Sequence, residues 1–163
     1  MQGSFLAELA LRRPAIKQAW ERRLRKEPIT SPLANPDTLV LLMDRTLDEL
    51  QRALASLQPL PPPQAAPRPI RSGCLCGLNP LLAYFRVAAS VLPAQMCIGA
   101  DRCPDLSAGD YAICMQEMLG QLQVIASEEI RAFCAMCQTE IAQGGRHGGA
   151  AAVGQSLAAT FAK

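Results

Sequence analysis

The sequence predicts an all-α protein, a four-helix antiparallel bundle, and three observations carry this prediction. Half of the 163 residues are hydrophobic but only 4% are aromatic, so a core must be built from aliphatic side chains, as in helical bundles. Two Asn-Pro pairs and one Ser-x-x-Asp sequence are typical of helix starts. Apolar residues recur at helical spacing between these starts, and no useful stretch alternates with a period of two.

Four principal helices are expected, near residues 4–27, 36–57, 80–97 and 108–143. In the first helix one face is apolar, and we expect Pro14 to kink or break it. The second helix begins at Asn35-Pro36, and the third begins at Asn79-Pro80, with Pro93 ending or bending it. The apolar face of the first helix consists of Leu6, Leu9, Ile16, Trp20 and Leu24.

The predicted helices divide the chain into one domain and a tail. Residues 1–143 form the bundle, in which the stretch "PLPPPQAAPRP" (residues 59–69) is a stiff Pro-rich connector. Ser107 marks the start of the fourth helix, because Ser107 and Asp110 together resemble a capping box. Residues 144–163 are rich in Gly and Ala, and we expect a flexible or short-helical tail there.

Charge and composition narrow the classes of function. The net charge is +2, which gives no reason to expect a nucleic-acid partner, although seven of the sixteen basic residues lie within residues 1–30. No uncharged run approaches the length of a membrane span, and no signal peptide is evident, so a cytoplasmic location is predicted. In that compartment the seven cysteines are expected to be free, metal-bound or redox-active.

The opening of the chain resembles a known family. The stretch "LAELALRRPAIKQAWERRLRKE", followed by a capped second helix, is similar to the start of the helical N-terminal sensor domains of bacterial stressosome (RsbR-type) regulators. The resemblance rests on the spacing of Ile16, Trp20 and Leu24 and covers the first third of the chain. It implies a helical regulatory module.

Two cysteine pairs form a candidate metal site. Cys74 and Cys76 precede the helix start at Asn79, where the unpaired backbone amides favour thiolates. Cys134 and Cys137 share one face late in the fourth helix, where the helix dipole disfavours negative charge. A divalent cation would offset that penalty, and four thiolates form a closed tetrahedral zinc site. An iron–sulfur cluster is the alternative occupant, and buried packing of small residues is the alternative without any cofactor.

Three other cysteines, Cys97, Cys103 and Cys114, lie outside these two pairs. Cys97 and Cys103 flank the loop before the fourth helix and form a candidate redox pair. The plainer interpretation makes Cys97 a core residue at a helix end and Cys103 an exposed loop thiol. Cys114 lies on the core stripe of the fourth helix, so we expect it to be buried.

The fourth helix carries a second apolar face, which contains Ile130, Phe133 and Ile141 beside the two cysteines. A helix that is apolar on two sides needs two covers. A protein partner or a second copy of the chain is therefore expected at these three residues.

Together these features predict a small cytoplasmic regulatory or sensor module with a cysteine-based zinc or redox site. No catalytic constellation accompanies the lone His147, so catalysis is not expected. Two alternatives stay open. One is a protein–protein adaptor whose cysteines only fill the core, and the other is a thiol oxidoreductase or iron–sulfur protein.

Overall fold

The computed structural model describes residues 2–28, 34–56, 79–98, 103 and 105–142, with side chains described as far as Ala135. All regular secondary structure in these ranges is helical, which confirms the all-α prediction. The single turn α2 leads into α3, so four long helices form the bundle. The helices are α1 (Gln2–Leu24), α2 (Pro36–Leu39), α3 (Leu42–Ala55), α4 (Pro80–Cys97) and α5 (Ala108–Ala142).

The helices start where the local sequence signals place them. At the starts of α2, α4 and α5 a side-chain oxygen accepts a hydrogen bond from a backbone amide that would otherwise lack a partner, whereas Leu41 before α3 makes no side-chain cap. At the start of α5 the Ser107 hydroxyl also donates to the Asp110 carboxylate at 2.7 Å. The three caps are Asn35 Oδ1 with Asp37 N (3.0 Å), Asn79 Oδ1 with Leu81 N (3.0 Å) and Ser107 Oγ with Asp110 N (3.1 Å).

The two internal prolines do not interrupt their helices. Pro14 lies inside α1, which runs without a break from Gln2 to Leu24, so the predicted break is not observed. Pro14 is exposed, and water can therefore reach the carbonyl group that its ring deprives of a partner. Pro93 likewise lies inside α4, which continues to Cys97.

Polar contacts show that α1 and α3 run in opposite directions. Arg25 follows the end of α1 and pairs at 2.7 Å with Asp37 in α2, the single turn that leads into α3. Arg13, in the middle of α1, pairs with Asp48 further along α3. Lys17 pairs with Asp44 between these two points at 2.5 Å. The basic side chains of α1 therefore face acidic side chains of α3. This pairing balances part of the positive charge concentrated within residues 1–30.

The second half of the bundle is also antiparallel. Asn79 at the start of α4 contacts Cys134 late in α5, whereas the Tyr111 hydroxyl early in α5 donates to Met96 O near the end of α4 at 2.7 Å. Phe5 at the start of α1 stacks edge-on against Tyr111, with ring centroids 5.5 Å apart. The start of α1 thus lies at the end of α4, and these two helices are antiparallel as well.

The directions of α3 and α4 determine how far apart the end of α3 and the start of α4 lie. Both helices are antiparallel to α1, so they run in the same direction. The chain from Ser56 to Asn79 therefore joins two points separated along the bundle axis by roughly the length of α3. For its 14 residues this length is about 21 Å.

A series of hydrogen bonds between buried groups runs through the mainly apolar core. Trp20 packs on Tyr84 with ring centroids 4.6 Å apart, and its indole nitrogen donates to Tyr84 O at 3.3 Å. The Tyr84 hydroxyl donates to Thr46 Oγ1 at 2.9 Å, because the Thr46 proton is given to Leu42 O at 3.0 Å. These bonds connect α1, α4 and α3 at the centre of the bundle.

Candidate metal centre

The described part of the candidate centre is Cys134 and its surroundings. Cys134 is half-buried on α5, and its sulfur accepts a hydrogen bond from Asn79 Nδ2 at 3.4 Å. Asn79 is the N-cap of α4 and is only 5% exposed. One thiol of the helix pair therefore lies beside the N-cap of α4, a residue that follows Cys76 by three positions in the sequence.

The other three predicted ligands lie outside the side chains that the structure describes. Cys74 and Cys76 lie outside the described residues, and the Cys137 side chain does too. Among the described side chains, no cluster of three or more His, Cys, Asp or Glu could hold a metal ion. The convergence of four thiolates thus stays a prediction.

The electrostatic surroundings of Cys134 differ from those expected from α5 alone. Cys134 lies eight residues, about two turns, before the end of α5 at Ala142, and so lies outside the last turn in which a helix dipole acts on a charge. The start of α4 lies against the same sulfur and offers the positive end of a second dipole. Of these two helix ends, the start of α4 is therefore the one in contact with the sulfur.

Sequence reasoning missed Asn79 as the partner of Cys134. Capping requires only the side-chain oxygen, which Asp or Ser would also supply. An asparagine carries an additional amide nitrogen, and at Asn79 this group reaches α5. No sequence signal identifies that partner, because the contact joins residues 55 positions apart.

The exposures of Cys97 and Cys103, the candidate redox pair, are the reverse of those in the plainer interpretation, which places Cys97 in the core and Cys103 at the surface. Cys97 is exposed, and Cys103 is 2% exposed, with its sulfur 3.8 Å from Ser4 O. The assignment of Cys97 to the core and of Cys103 to the surface was therefore wrong. Cys103 is buried because it lies against the start of α1, a contact distant in sequence.

The environment of Cys103 does not favour reactivity. Burial raises the pKa of the Cys103 thiol, and the carboxylates of Glu8 and Asp105 raise it further. The thiolate is the reactive form, so this shift slows exchange. Cys97 and Cys103 are both free thiols in the structure, and a reversible bond between them stays a prediction.

Cys114 is a core residue, as the sequence predicts. It belongs to the buried hydrophobic cluster of the bundle. Burial is the main cause that raises the pKa of its thiol. Its position needs no functional explanation.

The second apolar face of α5 is covered within the single chain at its described positions. Ile130 is 8% exposed and Phe133 is 5% exposed, and both belong to the main hydrophobic cluster. The start of α4 contributes to this cover, since Asn79 Nδ2 lies 3.5 Å from Ile130 O. These two residues are therefore not an available partner surface, contrary to the prediction. The Ile141 side chain lies outside the described residues.

Comparisons with protein-family models, curated proteins and solved structures find no match. The resemblance to stressosome sensor domains thus stays a prediction. Its three residues, Ile16, Trp20 and Leu24, are all buried in the core, so packing alone explains their spacing. Among the helices that the structure describes, none has the length and apolar character needed to cross a bilayer.

Proposed function

We propose that this chain is a small cytoplasmic regulatory or sensor module without catalytic activity. Its site would consist of one Zn²⁺ ion bound by Cys74, Cys76, Cys134 and Cys137. The observation that supports this most is the hydrogen bond from Asn79 to the Cys134 sulfur, 3.4 Å long. It joins Cys134 to Asn79, which follows Cys76 by three residues in the sequence.

The chemistry of these residues fits zinc. Thiolates are preferred zinc ligands, and four of them close the coordination shell, as in structural sites. Amide donors to ligating sulfurs are the kind of outer contact that orients such ligands. An iron–sulfur cluster would accept the same four ligands and is the alternative occupant.

Binding would join two parts of the chain that are distant in sequence. The ion would link the loop before α4 to the late part of α5, and its free energy of binding would stabilise that junction. Occupancy would then alter the start of α4. We propose that a protein partner or a second copy of the chain reads this change.

A second candidate function is an adaptor bundle whose cysteines only fill the core. The burial of Cys103 and Cys114 favours this interpretation for those two residues. Cys134 differs from them because its sulfur is half-buried and has an amide donor from another helix. The two candidates therefore disagree only about the paired cysteines.

Elemental analysis of untagged protein purified without oxygen tests the proposal. We expect one zinc per chain, and less than half of that occupancy in Cys76→Ser and in Cys134→Ser, because each variant loses a ligand. Cys97→Ser is the matched control, since it makes the same chemical change at an exposed thiol and should keep full occupancy. Stoichiometric iron with sulfide would identify the cluster instead.

Two outcomes would contradict the metal site. The native protein would carry neither zinc nor iron, or both ligand variants would keep the native occupancy. Either result would favour the adaptor function, in which none of the seven cysteines binds a metal.

A further inference from the structure

The basic residues at the start of the chain fall into two groups with different surroundings. Within α1, those as far as Lys17 are paired with acidic side chains. At the end of the helix Arg22, Arg23 and Lys26 are exposed, and none of the described acidic side chains forms an ion pair with them. The pairs in the first group are Arg12 with Glu8, Arg13 with Asp44 and Lys17 with Asp44.

The acids closest to this end of α1 already have other partners. Glu21 and Asp37 both pair with Arg25, at 2.8 Å and 2.7 Å, and Glu27 pairs with Arg86 on α4. The charge of the three exposed cations is therefore not balanced by their neighbours in the bundle.

The rest of the sequence offers little that could balance this charge. Of the fourteen acidic residues, only Asp101 and Glu140 have side chains outside the described part of the chain. The helix dipole favours basic side chains at the end of a helix, but like charges three or four residues apart repel one another. A ligand of opposite charge would relieve that repulsion.

The three cations lie on one side of the helix end. Successive helical residues are about 100° apart around the axis, so Lys26 lies only about 40° from Arg22, with Arg23 on its other side. Lys26 N bonds to Arg23 O in a tightened turn, so Arg22 and Lys26 are about 6–7 Å apart along the axis. Alternate residues of an extended chain are also about 6.6 Å apart.

We propose that Arg22, Arg23 and Lys26 form a docking surface for an extended acidic segment of a partner protein, with Asp or Glu at alternate positions. The surface adjoins an open groove between α1 and α3, because Gln18 lines that groove and its carbonyl accepts from Arg22 Nε at 3.3 Å. The groove would take the continuation of the bound segment. The surface contains no cysteine and so goes beyond the proposed metal site.

A protein segment fits this surface better than a nucleic acid or a membrane does. Trp20 is 0% exposed and Leu24 is 2% exposed, so neither side chain is available to stack on a base or to enter a bilayer. Recognition at this surface depends on charge and spacing.

Fluorescence anisotropy of a labelled synthetic peptide tests the proposal. Glutamate alternates with serine in the probe peptide, and glutamine replaces glutamate in the uncharged control peptide. We expect the native protein to prefer the acidic peptide, with an affinity that falls as salt is added. Arg22→Gln combined with Arg23→Gln should weaken this binding about tenfold, because two exposed ion pairs are lost.

Arg52→Gln combined with Arg131→Gln is the matched control. It removes the same two charges at exposed positions on α3 and α5, and Arg52 also lies in the last turn of its helix. Its affinity should stay within about twofold of the native value, because these charges are remote from the surface. Helix content is compared in all variants, and Arg23→Gln combined with Lys26→Gln replaces the first variant if that one does not fold.

Three results would overturn the proposal. The native protein could bind both peptides equally, or the Arg52 and Arg131 control could lose as much affinity as the test variant, in which case net charge alone would explain binding. Tighter binding to phosphatidylserine vesicles or single-stranded DNA than to the peptide, lost in the same test variant, would assign the surface to another class of partner. Chelator is present throughout, so a failed zinc analysis would end the proposed function and leave this result standing.

Discussion

At the scale of single residues, the most informative contact is the hydroxyl pair of Thr46 and Tyr84. Both side chains are buried, and a buried hydroxyl without a partner is costly. The order of donation is set, since Thr46 gives its proton to Leu42 O and must accept one from Tyr84. Burial raises the pKa of Tyr84, so this residue stays a donor throughout the ordinary pH range.

This order predicts unequal effects of two similar substitutions. Thr46→Val leaves the Tyr84 hydroxyl buried without an acceptor, and we expect the free energy of unfolding to fall by about 2 kcal/mol. Tyr84→Phe leaves the Thr46 proton bonded, and a loss of about 1 kcal/mol is expected. Urea unfolding of the two variants and of the double variant checks this.

The double variant should lose less than the sum of the single losses, because the residues share one hydrogen bond. A larger loss in Tyr84→Phe than in Thr46→Val would contradict the assigned direction of donation.

At the scale of helices, the ion pair between Arg45 and Glu129 links α3 with α5 at the edge of a small hollow. Arg45 and Glu129 approach to 3.2 Å, and Glu129 lines the hollow together with Tyr84 and Glu49. Burial is the largest cause that raises the pKa of Glu129; Glu49 and Glu128 add to the shift, and Arg45 opposes it.

The raised pKa gives the pH dependence a definite sign. Ionisation of Glu129 costs more in the folded protein than in the unfolded chain, so its contribution to stability is greatest below the usual pKa of 4.5 and is lost as pH rises through the folded value. Glu129→Gln cannot ionise. We therefore expect this variant to be more stable than the native protein at pH 7, by up to about 1 kcal/mol, because the half-exposed pair with Arg45 contributes little.

Thermal unfolding at pH 4 and pH 7 measures this effect. The difference between Glu129→Gln and the native protein should shrink at pH 4, where the native side chain is largely protonated. Asp105→Asn, which removes a carboxylate at an exposed position outside this cluster, is the control and should show no such trend. A lower melting temperature of Glu129→Gln at pH 7 would show that the ion pair outweighs the burial.

At the scale of the whole molecule, Ile130 and Phe133 of α5 belong to the hydrophobic core of the bundle. Phe133 is 5% exposed in the single chain. Phe133→Ala should therefore lower the free energy of unfolding by about 3–5 kcal/mol without changing the elution volume of the folded protein. Leu11→Ala is the control, because Leu11 is 63% exposed and its truncation should change stability by less than about 0.5 kcal/mol. A changed elution volume at native stability would restore the interface.

The helices themselves followed from the sequence, because the signals for a helix are local. Asn35, Asn79 and Ser107 cap helices through backbone amides two or three residues away, and apolar periodicity repeats within each helix. The placement of Cys114 in the core followed from the same periodicity.

Only the tertiary structure decided what lies against each helix. The shared direction of α3 and α4, the burial of Cys103, the cover over Ile130 and the partner of Cys134 all depend on contacts between distant parts of the chain. A periodic pattern shows that a face is apolar, but it does not show which element covers that face. That choice depends on how all four helices can bury their apolar faces at once, a condition on the whole bundle that no single segment contains.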